Sequence, residues 1–223
     1  MKRFVIILMA LAVGLPISAQ QTCPDSNHPH AIDLGLPSGT KWACCNVGAS
    51  RPTAYGDYYA WGEIATKTNY DWSTYKWGEI IELTKYCDNP DFGENWHTDN
   101  KTVLDPEDDV AHVKWGGQWR MPTKEQMEEL CNNTKEKWIE NYKGTGVNGS
   151  LLTATNGKSI FLPAGGERDD TQLYCAYAGF FWSSSLVSGC PGSAYGLSIG
   201  SGEVFVDDFN SRTTGRTVRP VRP

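Results

Sequence analysis

The sequence predicts an α+β fold of short antiparallel strands, one or two helices and long loops. Three observations carry this reading. Glycine (23) and proline (12) punctuate the 223 residues too often for a coiled coil or helical bundle, which would be rich in Ala, Glu, Lys and Leu. Nine Trp, ten Tyr and seven Phe supply large side chains to bury, so the chain is not a disordered one. Only one segment carries a full helix-start signature, whereas several short apolar runs end at turn residues.

Met1-Lys2-Arg3, the apolar run from Phe4 to Leu15 and the small residues up to Ala19 have the three-part pattern of a secretory signal peptide. The run is too short for a bilayer span, which needs about 20 apolar residues. Residues 1–19 are therefore expected to be a cleaved signal, 20–30 a polar leader and 31–223 a single domain, with the protein exported to the periplasm, the cell surface or the medium. Thr22 before Cys23 does not fit a lipid-anchor site.

The elements follow in order. Ala31–Leu36 and Lys41–Val47, anchored by Trp42, read as an opening hairpin around Pro37-Ser38-Gly39. Tyr55–Glu63 is an aromatic run broken by glycines, and Asn69–Leu83 is rich in Trp and Tyr without a clear period. Cys87–Lys101 is a long polar loop, a feature that in compact domains carries a function or its own packing. Pro106 followed by Glu107, Asp108 and Asp109 suits a short helix between Asp105 and His112, because carboxylates favour a helix N-terminus. Thr123 and Gln126 form a capping box, and Met127, Leu130 and Cys131 make one apolar face, which predicts a helix over Lys124–Asn132. Strands are expected at Trp138–Tyr142, at Leu151–Ala154 and Ser159–Leu162 flanking the Asn156-Gly157 turn, and at Phe180–Ser184. Ala194–Ile199 and Glu203–Phe209 flank Gly200-Ser201-Gly202, and Thr217–Val221 closes the chain. Trp42, Trp61, Trp119, Phe161, Trp182 and Val218 are the expected core.

Seven cysteines are an odd set, so at least one thiol is left over within a chain. Cys175 and Cys190 are candidates for a staple, Cys23 for a link to Cys44 or Cys45, and Cys131 for the free thiol. Lys and Arg total 20 against 26 Asp and Glu, a net charge of −6 and a pI of about 5.2. This excludes the basic stripe of a nucleic-acid binder and a polybasic membrane-surface segment. The four histidines, 28, 30, 97 and 112, have no zinc-ligand spacing, and no C-x-x-C, G-x-S-x-G or phosphate-binding glycine loop occurs. Carboxylates cluster at Asp105/Glu107/Asp108/Asp109, Asp169/Asp170 and Asp207/Asp208. They read as helix starts or solvated turns. No catalytic residue, cofactor or metal site is expected, a structural calcium being the one ion such clusters would suit.

Six blocks, AIDLGLPSGTKWACCNVGAS, YGDYYAWGE, LDPEDDVAHVKWGGQWRMPTKEQMEEL, NGKSIFLPAGG, FFWSSS and GRTVRPV, resemble, in this order, secreted Bacteroidetes proteins of the Fibrobacter succinogenes major paralogous domain family. The resemblance spans roughly residues 23–221. It implies a C-type-lectin-like fold of the formylglycine-generating-enzyme type, with first and last strands, near Ile32 and Val218, lying close together. The paired catalytic cysteines of that enzyme are not recognisable, so no enzyme is expected. The lectin motifs E-P-N, Q-P-D and W-N-D are absent too. Relatives that display ligands do so between the W-S-S block and the last strand, here Leu186–Thr214. In and near that segment Tyr174, Tyr177, Tyr195, Asp207, Asp208, Asn210 and Arg212 are the expected ligand-binding residues, since Tyr gives rigid contact area and Arg a bidentate fork. The expected function is a non-enzymatic binding module for a glycan or for a host or bacterial surface protein. The alternatives are a structural component of a fimbrial-tip type of assembly, or an enzyme on the same fold.

Overall fold

The structure, a computed structural model, describes residues 29–223, so the expected signal peptide and Cys23 lie outside the described residues. Strand β1 (Ala31–Asp33) turns at Gly39, which takes φ +76°, into β2 (Lys41–Ala43). β11 (Val221–Arg222) lies on the other side of β2, so Ile32, Trp42 and Val221 stand in one row. The opening and closing strands thus share one partner, and Val218 reaches the opening segment by accepting from the Val47 N–H. The closing strand falls at Val221–Arg222 and not across Thr217–Val221. Thr217 instead bonds to Phe180 and Val218 packs in the core.

β8 (Gly179–Leu186), β9 (Ser193–Gly200) and β10 (Glu203–Ser211) form an antiparallel meander. A bulge sets both Asp207 and Asp208 opposite Gly196. β3 (Thr134–Ile139), β4 (Gly149–Ala154) and β5 (Ser159–Pro163) form a second meander, with Gly157 at φ +80° in the turn predicted there. The expected strand at Trp138–Tyr142 is β3, which starts earlier and stops at Ile139. A small hairpin of β6 (Glu167–Asp169) and β7 (Gln172–Tyr174) was not foreseen. Its residues carry no apolar alternation; backbone pairing forms it and the Arg216–Glu167 ion pair ties it to the closing segment.

Helix α1 (Val110–Trp115) is capped by Asp109, whose side chain accepts from the Ala111 and His112 N–H groups. Helix α2 (Lys124–Asn132) has the bounds and the reciprocal Thr123–Gln126 capping box read from the sequence. Met127 and Leu130 bury α2 against Phe181, Leu197 and Ile199 of the first meander. Thr123→Ala removes the cap acceptor and should cost about 1 kcal/mol, read as a shift in urea midpoint. A loss below about 0.3 kcal/mol would mean the box contributes nothing.

A second core, built from Tyr59, Trp61, Tyr86, Trp182 and Val218, and a small third one of Ala60, Tyr70 and Tyr75 anchor residues 44–109, a stretch of turns and short 3-10 helices with no strand longer than a bridge. All six expected core residues are buried. Cys175 and Cys190 are not joined. Cys175 follows β7 near the start of β8, Cys190 follows its end, and eight extended residues at about 3.3 Å each keep them apart. Cys131 is a partly buried thiol on α2, and burial pushes its pKa up to about 12, so it is held protonated. Among the described residues no helix is long and apolar enough to cross a membrane.

Candidate ligand-binding surface

The closing segment Arg212–Arg219 carries the frame on which the loops hang. Arg212 is 0% exposed. Its guanidinium donates to the Tyr75 hydroxyl (2.8 Å) and to the carbonyls of Lys85 (3.2 Å), Tyr86 (3.1 Å) and Pro191 (3.0 Å). The rings of Trp61, Tyr75 and Tyr86 surround it with centroids at 5.0, 5.1 and 5.9 Å. Such rings attract a cation by their quadrupole, and a planar five-donor fork can tie three chain segments that no backbone ladder joins. Arg216 donates to Glu167 at 2.8 Å, and Arg219 binds Asn46 and the carbonyls of Ala43, Cys44 and Phe161.

Arg212 is therefore no ligand contact, and the expected set does not form one face. Tyr195 and Phe209 stand opposite each other on β9 and β10, ring edge to ring face at 6.5 Å. Lys124 of α2 lies 4.4 Å from the Tyr195 ring. Asn210, the next residue after Phe209, points to the other face and bonds Glu167. Tyr174 pairs with the same Glu167 in the β6–β7 hairpin, so Glu167 is the shared neighbour of Tyr174 and Asn210. Tyr177 is 77% exposed near Cys175. Of Asp207 and Asp208 the structure describes only the backbone bulge. Period-two alternation puts neighbours on opposite sides, and position in a segment could not show it.

Two further highly exposed apolar side chains lie elsewhere, in the stretch 79–97. Trp96 is 75% and Ile81 65% exposed, and both line an open depression of about 440 Å³ with Glu82, Asp91 and Glu94. Trp96 stands at φ +63° after Asn95 at +50°; asparagine adopts the left-handed region readily, but a bulky residue rarely does, at a cost of about 1–2 kcal/mol. Its surroundings impose the conformation. The Trp96 N–H donates to Gly93, the His97 N–H to Glu94 and the Glu94 N–H to Leu83. Gly93 is required there, because a Cβ would sit 1.9 Å from the His97 carbonyl. Asp99 clamps the loop by accepting from the N–H groups of Tyr86, Cys87 and Lys101. The one sequence signal is a Trp in a loop that is polar apart from Cys87, Pro90 and Phe92.

Below this loop Asp105, Glu107 and Asp108 converge to within 4.8 Å. Lys85 sits 2.7 Å from both Asp105 and Asp108, Lys101 2.6 Å from Asp105 and Lys76 3.0 Å from Asp108. Three ammonium groups answer three carboxylates, so the cluster reads as an internal ion network. Burial raises the pKa of Asp108, but the bonds from Lys85, Tyr86 and Lys76 outweigh it and hold the carboxyl below the usual range. Hydrogen bonds from Lys101 and Lys85 do the same to Asp105, and the backbone donors do so to Asp99 against its burial. Groups depressed on folding stabilise above the unfolded carboxylate pKa of about 3.9 and lose that stability as pH falls through their folded values. Asp109, whose pKa burial raises despite three backbone donors, acts in the opposite sense. The melting temperature should hold from pH 7 to about 5 and fall below about pH 4, and less steeply in Lys85→Met. A flat profile down to pH 3 would refute the network's role.

No family model, curated protein or solved structure matches the chain.

Proposed function

We propose that the protein is an exported, non-enzymatic binding module, secreted or held at the cell surface, that captures a glycan or protein ligand on a C-type-lectin-like domain. The observation that carries the reading is Trp96. A large aromatic ring stands three-quarters exposed in a costly backbone conformation, on a loop tied down by hydrogen bonds at both ends. A rigid, exposed aromatic offers contact area at low entropic cost. The lectin-like part rests on the six sequence blocks and draws support from the first and last described strands, β1 and β11, which meet at β2. An adhesive-assembly reading draws on β10, an edge strand of nine residues with exposed Phe205 and Phe209, although its bulge blunts such an edge.

Glycan and protein arrays probed with the parent chain and with Trp96→Ala test the reading. The variant should lose capture at least about ten-fold, a single hot-spot aromatic being worth over 1 kcal/mol, and should keep its melting temperature. Capture that survives Trp96→Ala unchanged would sink the site.

A further inference from the structure

The chemistry around Trp96 narrows the ligand. We infer that the depression at Trp96 and Ile81 takes a lysine or arginine side chain presented by a partner protein; this rests on the proposed binding role and deepens it. The depression's lining includes three carboxylates, Glu82, Asp91 and Glu94, and no cationic residue. None of the three takes part in an ion pair among the described residues, in contrast to the lysine-neutralised cluster nearby. All three are exposed, so their field acts on whatever enters. An exposed indole face attracts a cation, and carboxylates around it add Coulomb attraction of the same sign. Ile81, 65% exposed beside the ring, offers an apolar strip for the methylene stem that a lysine or arginine lays along a surface while its head seeks charge. The depression is open and about 440 Å³ in volume, so it has room for one extended side chain. A neutral sugar would use the ring but not the charge, and an acidic segment would be repelled.

The probe is hexalysine, with hexaglutamate and maltohexaose as comparisons, followed by the indole N–H resonance of Trp96 in the purified protein. Hexalysine should shift that resonance and hexaglutamate should not. Its affinity should fall about ten-fold or more in Trp96→Ala and again in the triple variant Glu82→Gln, Asp91→Asn, Glu94→Gln. Raising salt from about 0.05 to about 0.5 M should weaken it by screening. Trp96→Ala keeps the net charge, so it separates this site from general attraction to an acidic protein. Hexalysine that binds the triple variant as tightly as the parent, or leaves the Trp96 resonance unmoved, overturns the inference. So does maltohexaose shifting that resonance while hexalysine does not, but that result leaves the binding role standing. An array ligand lost in Trp96→Ala yet kept in the triple variant likewise removes the cation and keeps the module. An array ligand indifferent to both variants removes the binding site itself.

Discussion

Arg212→Met is expected to lower stability by about 3 kcal/mol or more. The methionine fills the volume but leaves the carbonyls of Lys85, Tyr86 and Pro191 buried without the donor they now share, and each such orphan costs about 1–3 kcal/mol. For a domain of this size that corresponds to a fall of roughly 6–12 °C in melting temperature. Arg212→Lys should recover only part of it, because one ammonium cannot reach four acceptors spread around a planar fork. Urea unfolding of the three proteins checks this. A loss under about 1 kcal/mol in Arg212→Met would show that the loops 75, 85–86 and 191 hold together without it.

Trp182→Ala should cost about 3–5 kcal/mol. The ring is fully buried in the second core, its indole N–H donates to the Tyr59 and Thr214 carbonyls at 3.0 and 3.2 Å, and Arg216 lies 4.7 Å from it. The same substitution at Trp96 should move the urea midpoint hardly at all, since an exposed side chain leaves no cavity. One residue type thus yields opposite outcomes: stability lost with binding geometry collapsing at Trp182, and stability kept with capture lost at Trp96. Equal effects at the two positions would contradict the division between core and display surface.

Local signals fared best where the physics is local. The Thr123–Gln126 box, the Met127/Leu130 stripe and the Asn156-Gly157 turn each act within a few residues, and α2 and the β4–β5 hairpin stand where they predict. The burial of Trp42, Trp61 and Trp182 was legible too, because glycine-broken aromatic segments have little else to do than pack. The β6–β7 hairpin was not, since its strands show no alternation to read. The Cys175–Cys190 staple failed because proximity in sequence says nothing about the length of β8 between them.

The candidate surface shows the same boundary more sharply. Sequence by itself determined the fold class, the one strong helix, most strand positions and the identity of the core aromatics, all consequences of nearest-neighbour propensity and of apolar area seeking burial. Tertiary structure alone decided which polar groups face solvent. Arg212 looked like a binding residue and is a buried tie between loops 75, 85–86 and 191. Trp96 lay in a segment read as a polar loop and is held outward by bonds to Gly93 and through Glu94 to Leu83. A cation or an indole carries no local mark of its burial. That is set by whether distant segments supply acceptors and rings around it, and those long-range contacts exist only in the folded chain.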